Sequence, residues 1–79
     1  VETFIGGNST FKGEINTSGT IRIDGTLEGN VISDWVVLGE KGIIKGDITS
    51  SGIIVGGRIE GNVKAKDIIE IKSKGKIIG

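Results

Sequence analysis

The chain has 79 residues, of which 15 are glycine, and it contains no proline, cysteine or histidine. A single small domain of this length, residues 1–79, buries little surface as an ordinary globule. Without cysteine there is no disulfide framework and no thiolate metal site, and without histidine the commonest general base is missing. The apolar residues are mainly Ile and Val, which favour strands, while this much glycine disfavours helices. The composition therefore predicts an all-β domain.

The net charge is zero but is unevenly distributed along the chain. Residues 1–57 hold four cationic and seven acidic side chains, a net charge of −3, whereas residues 58–79 hold six and three, a net charge of +3. A basic end favours nucleic acid or an anionic surface, and the alternative is a solvated, lysine-rich end. No aromatic residue interleaves these lysines to stack on bases, so we expect no nucleic-acid partner.

Membrane and secretion signals are not evident in the sequence. No apolar run approaches the roughly 20 residues of a membrane span, and nothing resembles a signal peptide. The chain begins at Val1 and stops within a repeat. We expect it to be the ordered part of a longer protein, without its terminal tails.

A five-residue motif of the form apolar, polar, Gly, polar, apolar recurs along the chain. Copies lie at residues 11–15, 27–31, 44–48 and 59–63, and a fifth begins at Ile77. The central glycines are Gly13, Gly29, Gly46, Gly61 and Gly79, so the steps are 16, 17, 15 and 18 residues. A repeat of nearly fixed period indicates a solenoid, in which each copy stacks on the next.

A short strand recurs between the motifs, at residues 20–23, 35–38, 52–55 and 68–71, with residues 3–5 as a partial first copy. Side chains alternate across a strand, so the invariably apolar set should face inwards. That set is Ile21, Ile23, Val36, Leu38, Ile53, Val55, Ile69 and Ile71. The motifs supply two further inward columns, Phe11, Leu27, Ile44, Ile59 and Ile77, and Ile15, Val31, Ile48 and Val63.

Three inward columns per repeat, with no room for a helix, predict a single-stranded parallel β-helix with three short strands and about 15–18 residues per coil. Glycine should lie at the corners, where the backbone bends or takes positive φ. The spacing from each strand to the next motif alternates between six and four residues. This alternation predicts wide corners at residues 39–42 and 72–75 and tight corners at 24–25 and 56–57, so that the true repeat is a pair of coils.

The sign of the charge beside each motif glycine also alternates with a period of two coils. The residue before each motif glycine reads Lys12, Glu28, Lys45 and Glu60, which stacking would place in one column. Opposite charges on neighbouring strands contribute roughly 0.2–1 kcal/mol per pair. Because a slip of one coil would place like charges together, we interpret this charge column as a device that selects the stacking register. The alternative is chance alternation in a short column.

The outward set on the third side is unusually apolar. It comprises Trp35, Val37, Ile54 and Ile68, with Phe4 in line. Such a strip is a candidate lateral or partner-binding face, which we call the side face. The alternative is that these side chains simply stack on one another from coil to coil.

No residue set in the sequence indicates catalysis, and we expect no catalytic, cofactor or metal site. There is no phosphate-binding or dinucleotide motif. Asp24 and Glu28 are near each other in sequence, but we interpret them as solvated or paired carboxylates. The left-handed β-helix acyltransferases stack strict hexapeptides and usually use a histidine, and the chain has neither feature.

The two ends of such a solenoid would leave strand edges unpaired and the apolar interior open. Natural sheets normally block edges with charge, proline or a covering helix. Here the ends are apolar, which predicts a polymerisation interface formed by Phe4, Ile5, Phe11, Ile69, Ile71, Ile77 and Ile78. An end-to-end contact that does not close gives a filament. Truncation of a longer chain would also create bare ends.

Several of these segments resemble the core of the bactofilins. They are IRIDGTLEGNV at residues 21–31, VVLGE at 36–40 and IKGDI at 44–48, while TFIGG at 3–7 resembles the opening of that core. The resemblance implies a right-handed parallel β-helix that polymerises end to end, without nucleotide, into cytoskeletal filaments. It also implies a place at the inner face of the bacterial cytoplasmic membrane, where filaments help to localise cell-wall or morphogenesis proteins. Membrane attachment would come from terminal tails outside these 79 residues.

Two functions thus follow from the sequence. The first is a self-assembling structural protein whose partner is itself, as a homopolymer. The second is a monomeric binding scaffold that docks a protein through the side face. An enzyme is a third and weaker hypothesis, because there is no His or Cys for an acid–base or nucleophilic pair.

Overall fold

A computed structural model describes residues 2–78, so the fifth motif glycine, Gly79, lies outside the described residues. All regular structure in this part of the chain is β. Its strands are β1 (Glu2–Ile5), β2 (Thr10–Lys12), β3 (Ile15–Asn16), β4 (Thr20–Ile23), β5 (Thr26–Glu28), β6 (Val31–Leu38), β7 (Ile43–Lys45), β8 (Ile48–Val55), β9 (Arg58–Glu60), β10 (Val63–Ile71) and β11 (Lys76–Ile78).

The strands stack in parallel as about five coils with three sides. Side 1 contains β2, β5, β7, β9 and β11 in that order. Side 2 contains β3 and the first halves of β6, β8 and β10, and side 3 contains β1, β4 and the second halves of the same three strands. The chain is therefore a β-solenoid, consistent with the right-handed parallel β-helix that the resemblance implies.

The inward columns predicted from the repeat are the columns that pair in register. On side 1, for example, Phe11 lies opposite Leu27, Leu27 opposite Ile44, and Ile44 opposite Ile59. In the middle coils these side chains are almost fully excluded from solvent. The buried apolar core consists of Ile5, Ile21, Ile23, Leu27, Val31, Val36, Leu38, Ile44, Ile48, Ile53, Val55 and Ile59.

Sides 2 and 3 differ from the expectation of separate short strands in one respect. From β6 onwards a single strand runs along side 2, bends and continues along side 3, so the two sides form one folded sheet. Small polar residues occupy the bend, where the Ser33 hydroxyl donates to the Gly19 carbonyl oxygen (2.9 Å) and the Ser50 hydroxyl donates to the Gly52 carbonyl oxygen (3.0 Å). These bonds satisfy the buried hydroxyl groups of Ser33 and Ser50 without breaking the strand.

The corners between side 3 and side 1 alternate between wide and tight, as the sequence spacing predicts. Each wide corner is a turn closed by a backbone hydrogen bond, from Gly42 N to Gly39 O (2.9 Å) and from Gly75 N to Lys72 O (2.8 Å). Residues 6–9 form a third wide corner, closed from Ser9 N to Gly6 O (3.1 Å). Residues 24–25 and 56–57 are two-residue bends between these turns. The coil pair is therefore the structural repeat along this edge.

The motif glycines form a column at the corner between sides 1 and 2. Gly13, Gly29, Gly46 and Gly61 all have φ near +140° (138° to 142°), a conformation that side chains with a Cβ rarely adopt. The column is also tightly stacked: a Cβ on Gly29, Gly46 or Gly61 would collide with the carbonyl oxygen of the motif glycine one coil below. The dihedral angle thus requires glycine at all four positions, and space requires it as well at Gly29, Gly46 and Gly61.

Substituting Gly46→Ala should therefore destabilise the fold strongly. Forcing a side chain into this backbone region costs on the order of 1–3 kcal/mol, and the collision with the Gly29 carbonyl adds to that cost. Urea unfolding followed by circular dichroism measures the change. Gly7→Ala is the matched control, because a Cβ at Gly7 meets nothing within 4 Å. Equal midpoints for the two variants would contradict the role given to the glycine column.

Candidate assembly ends and side face

The C-terminal coil exposes side chains that the core buries elsewhere. Ile69 and Ile71 pair in register with Ile53 and Val55, which are fully buried, but they are themselves 45% and 53% exposed. Ile78 is also exposed, and Ile77 is half-buried against the core. These positions face inwards along their columns, and they are accessible because no further coil of the described chain lies over them. The result is an aliphatic surface at one end of the solenoid.

The N-terminal coil is less open. Phe4 points outwards and is 65% exposed, and Phe11 is exposed at the start of the side 1 column. Ile5, which the sequence predicted as part of this end surface, instead belongs to the buried core at 7% exposure and pairs in register with Ile23. The exposed large apolar side chains at this end are therefore aromatic, whereas those at the opposite end are aliphatic.

The strand edges at both ends have unused backbone groups. Among the described strands, β1 and β2 each pair with only one neighbour, and so do β10 and β11. An unpaired edge presents a row of N–H and C=O groups that can template another strand. Both ends thus combine an apolar surface with an open hydrogen-bonding edge.

The side face is arranged in two columns on side 3. One column runs through Thr20, Trp35, Gly52 and Ile68, and the other through Phe4, Arg22, Val37, Ile54 and Glu70. Trp35, Ile68 and Phe4 are exposed, whereas Val37 and Ile54 lie opposite each other and are partly buried. The structure therefore has features of both interpretations of the side face. Its centre stacks from coil to coil, and its flanks are open to solvent and accessible to a partner.

Gly52 has a role in this face that the repeat did not reveal. A Cβ built on Gly52 would overlap the six-membered ring of the Trp35 indole. The missing side chain therefore makes room for the ring, which covers the glycine from the coil below. The available signal was a glycine in an outward column that otherwise holds Thr20, Trp35 and Ile68, because glycine inside a strand often marks close approach by another group.

The residues of the predicted charge column do lie opposite one another on neighbouring strands: Lys12 is opposite Glu28, Glu28 is opposite Lys45, and Lys45 is opposite Glu60. Its members form no ion pair with each other within 4.0 Å in the described structure. Among the side chains of residues 4–78, the ion pairs are Arg22–Asp24 (3.1 Å), Arg58–Glu60 (3.5 Å), Lys72–Glu70 (4.0 Å) and Lys74–Glu40 (3.7 Å). Any contribution of the column is therefore a longer-range attraction between neighbouring coils.

Among the side chains that the structure describes, those of residues 4–78, there is no group of three or more His, Cys, Asp or Glu that could hold a metal ion. The same residues include no helix long and apolar enough to cross a membrane. Asp24, considered above as a paired or solvated carboxylate, accepts a hydrogen bond from Arg22 Nε (3.1 Å).

The structure thus defines a class of protein, a parallel β-solenoid whose coils contact only their neighbours and whose ends remain open and apolar. The family model described as "Bactofilin: Polymer-forming cytoskeletal" matches residues 3–79. The chain therefore belongs to the bactofilin family, a family of structural cytoskeletal proteins, and the resemblance stated from the sequence is confirmed.

Two curated relatives support this assignment. Bactofilin BacO of Myxococcus xanthus (strain DK1622) is 28% identical over 78 residues, which cover 98% of this chain and 62% of BacO. Bactofilin BacP of the same organism is 23% identical over 78 residues, which cover 98% of this chain and 32% of BacP. The chain thus spans less than two thirds of the length of either relative. No solved structure gives a significant match.

The charge column can be tested by reversing its signs. Glu28→Lys turns two attractive neighbours, Lys12 and Lys45, into repulsive ones and should cost about 0.5–2 kcal/mol of unfolding free energy. The triple variant Lys12→Glu, Glu28→Lys, Lys45→Glu restores both attractions around position 28 and should recover part of the loss. Denaturation at low and high salt provides the measurement, since about 1 M salt screens charges beyond roughly 3 Å. Equal losses in both variants would show that the column does not set the register.

Proposed function

We propose that this chain self-assembles end to end, without nucleotide, into cytoskeletal filaments. The observation that carries the proposal is the exposure of Ile69 and Ile71, because the same columns are fully buried at Ile53 and Val55. Stacking a second copy on this end would bury apolar surface, at about 25 cal/mol per Å², and would pair the open strand edges. Membership of a family described as polymer-forming supports the same conclusion.

The filament has a cellular role in this proposal. It lies at the inner face of the bacterial cytoplasmic membrane and scaffolds cell-wall or morphogenesis proteins, and membrane attachment comes from tails outside residues 1–79. The chain acts as a structural element rather than as an enzyme, in line with the structural character of the family.

A second candidate function is docking of a protein partner through the side face. The exposed Trp35 and Ile68 favour it, since large apolar residues in a contiguous patch mark association surfaces. This function does not require assembly, because the side face lies along the solenoid and not at its ends.

Assembly is tested by charging the two ends separately. Ile71→Asp and Phe11→Asp should each abolish filaments in electron micrographs, because stacking would bury an unpaired carboxylate. Both side chains are exposed, so the coils themselves should stay folded by circular dichroism. Ile32→Asp is the matched control: Ile32 is an equally exposed isoleucine that points outwards from β6 and lies away from the ends, so filaments should persist.

A wild-type chain that stays monomeric by light scattering at high concentration would contradict end-to-end assembly. Filaments that survive both end variants but disappear in Trp35→Ala would instead assign assembly to the side face.

A further inference from the structure

The outward residues of side 3 form a pattern that becomes its own complement when it is inverted. Along β4, β6, β8 and β10, the column that starts at Arg22 reads Arg, Val, Ile and Glu, which is a cation, two apolar residues and an anion. The column beside it, just past the strands, reads Asp24, Gly39, Gly56 and Lys72, which is an anion, two glycines and a cation. The backbone N–H groups of these four residues each donate to the coil below at 2.8 or 2.9 Å, so they stack in line. A second copy turned end over end would therefore meet each charge with its opposite.

The charges at the two ends of these columns are already joined in pairs within the chain. Arg22 Nε donates to Asp24 Oδ2 (3.1 Å), and Lys72 Nζ lies 4.0 Å from Glu70 Oε2. The order of sign is opposite in the two pairs, because the cation precedes the anion in the first and follows it in the second. Face to face, the two pairs would form a network of four alternating charges. Neither pair has to open for this, because a guanidinium has five N–H donors and a carboxylate accepts about four hydrogen bonds.

The apolar centre of the side face has the same symmetry. The Trp35 ring covers Gly52, so it lies between β6 and β8, at the level about which the pattern inverts. In an inverted second copy the two Trp35 rings would meet at this level, and Val37 of one copy would face Ile54 of the other. Aromatic side chains at the centre of an interface often carry much of its binding energy. The charged ends would then form the polar rim.

A parallel arrangement of two copies is disfavoured by charge. With both chains running in the same direction and at the same level, Arg22 would face Arg22 and Glu70 would face Glu70. Both side chains are more than half exposed, at 56% and 53%, so each would meet its copy directly. Like charges placed opposite each other across an interface are repulsive. The antiparallel arrangement is instead isologous, since both copies use the same surface around a two-fold axis.

The area of this surface predicts when pairing occurs. The surface comprises residues 20–24 and their counterparts on β6, β8 and β10. At about 4.8 Å between strands and about 3.3 Å per residue, it covers roughly 300 Å² per copy. A stable interface buries about 800 Å² per partner, so two single chains should not stay together. End-to-end stacking would repeat the surface at every subunit of a filament, and linked contacts of this kind reinforce one another.

We propose that the side face joins two filaments of this chain laterally, with the solenoids antiparallel and related by two-fold axes that pass between β6 and β8. The partner of the side face is thus a second copy of the chain. Ile68, which is exposed, faces Thr20 of the opposite copy, and Phe4 lies one coil beyond the self-complementary rows. The proposal rests on the end-to-end assembly proposed above, because single chains offer too little contact area.

Two charge reversals that should fail separately and succeed together provide the test. Arg22→Glu makes both facing charge pairs of the interface acidic, and Glu70→Arg makes both of them basic. Filaments of either variant should therefore be single in electron micrographs, whereas wild-type filaments should lie in pairs. When preformed filaments of the two variants are mixed, each facing pair again combines an acidic and a basic side chain. Paired filaments should then return.

Arg58→Glu is the matched control for Arg22→Glu. Arg58 is about half exposed and pairs with Glu60 two residues further on, just as Arg22 pairs with Asp24, but it lies on side 1. Reversing its charge removes an equivalent ion pair without altering the side face. Filaments of this variant should remain paired.

Trp35 reports on the same contact in solution, because it is the one tryptophan of the chain. Its ring is 41% exposed on the solenoid surface, and pairing should bury it. The emission of wild-type filaments should therefore lie at shorter wavelength than that of Arg22→Glu filaments, and acrylamide should quench it less. Mixing the two charge variants should restore both properties.

Single wild-type filaments would overturn the proposal and leave the side face to a different protein. Pairing that persists in both reversal variants, or that does not return on mixing, would overturn it as well. A chain that forms no filament at all would contradict end-to-end assembly and the lateral pairing with it. Because micrographs show separately whether filaments form and whether they pair, the two failures are distinguishable.

Discussion

The stacked glycine column is the constraint on which the solenoid depends. At each motif the chain must turn from side 1 to side 2 while its backbone presses on the carbonyl of the coil below. Backbone hydrogen bonds lock this contact, from Gly29 N to Lys45 O (2.8 Å) and from Gly46 N to Glu60 O (2.8 Å). Once the corner is fixed, the residues two positions before and after each glycine, such as Leu27 and Val31, must point inwards, because side chains alternate along the strands that meet there. Register and core therefore both follow from the same few glycines.

The same geometry explains why the ends can assemble. A solenoid has nearest-neighbour contacts only, so every coil relies on the next one to cover its apolar columns. In the middle coils Ile53 and Val55 are covered from both directions, whereas Ile69 and Ile71 are covered from one. The surface proposed for polymerisation is thus an uncovered layer of the core, and the contact that would cover it is the contact already made four times within the chain.

Much of this could be predicted from sequence because the inward columns repeat without exception. The motif around Gly29 identified the corner, the flanking Leu27 and Val31 identified the core, and spacing alone distinguished the wide corners from the tight ones. The bend between sides 2 and 3 was harder, since Ser33 and Ser50 keep the strand extended through it. An additional residue near Asp67 shifts the β10 register there. The sequence signal for it was the spacing between the inward columns, which is six residues from Val63 to Ile69 but five from Ile48 to Ile53.

The end coils and the outward positions were the least predictable. Ile5 looked like an end residue by its place in the chain but is buried in the first coil. Gly52 looked like an ordinary strand glycine, yet it makes room for the Trp35 ring. Such roles depend on the side chain one coil away, which the period brings close but does not specify.

The most direct test of the central claim is the axial spacing of the filament, measured by cryo-electron microscopy of the purified chain. If copies stack end to end, coils about 4.8 Å apart should continue through each junction, and five coils should give one subunit roughly every 24 Å along the axis, with strands perpendicular to it. Filaments in which the solenoid axes lie across the filament, joined through the side face, would contradict end-to-end assembly.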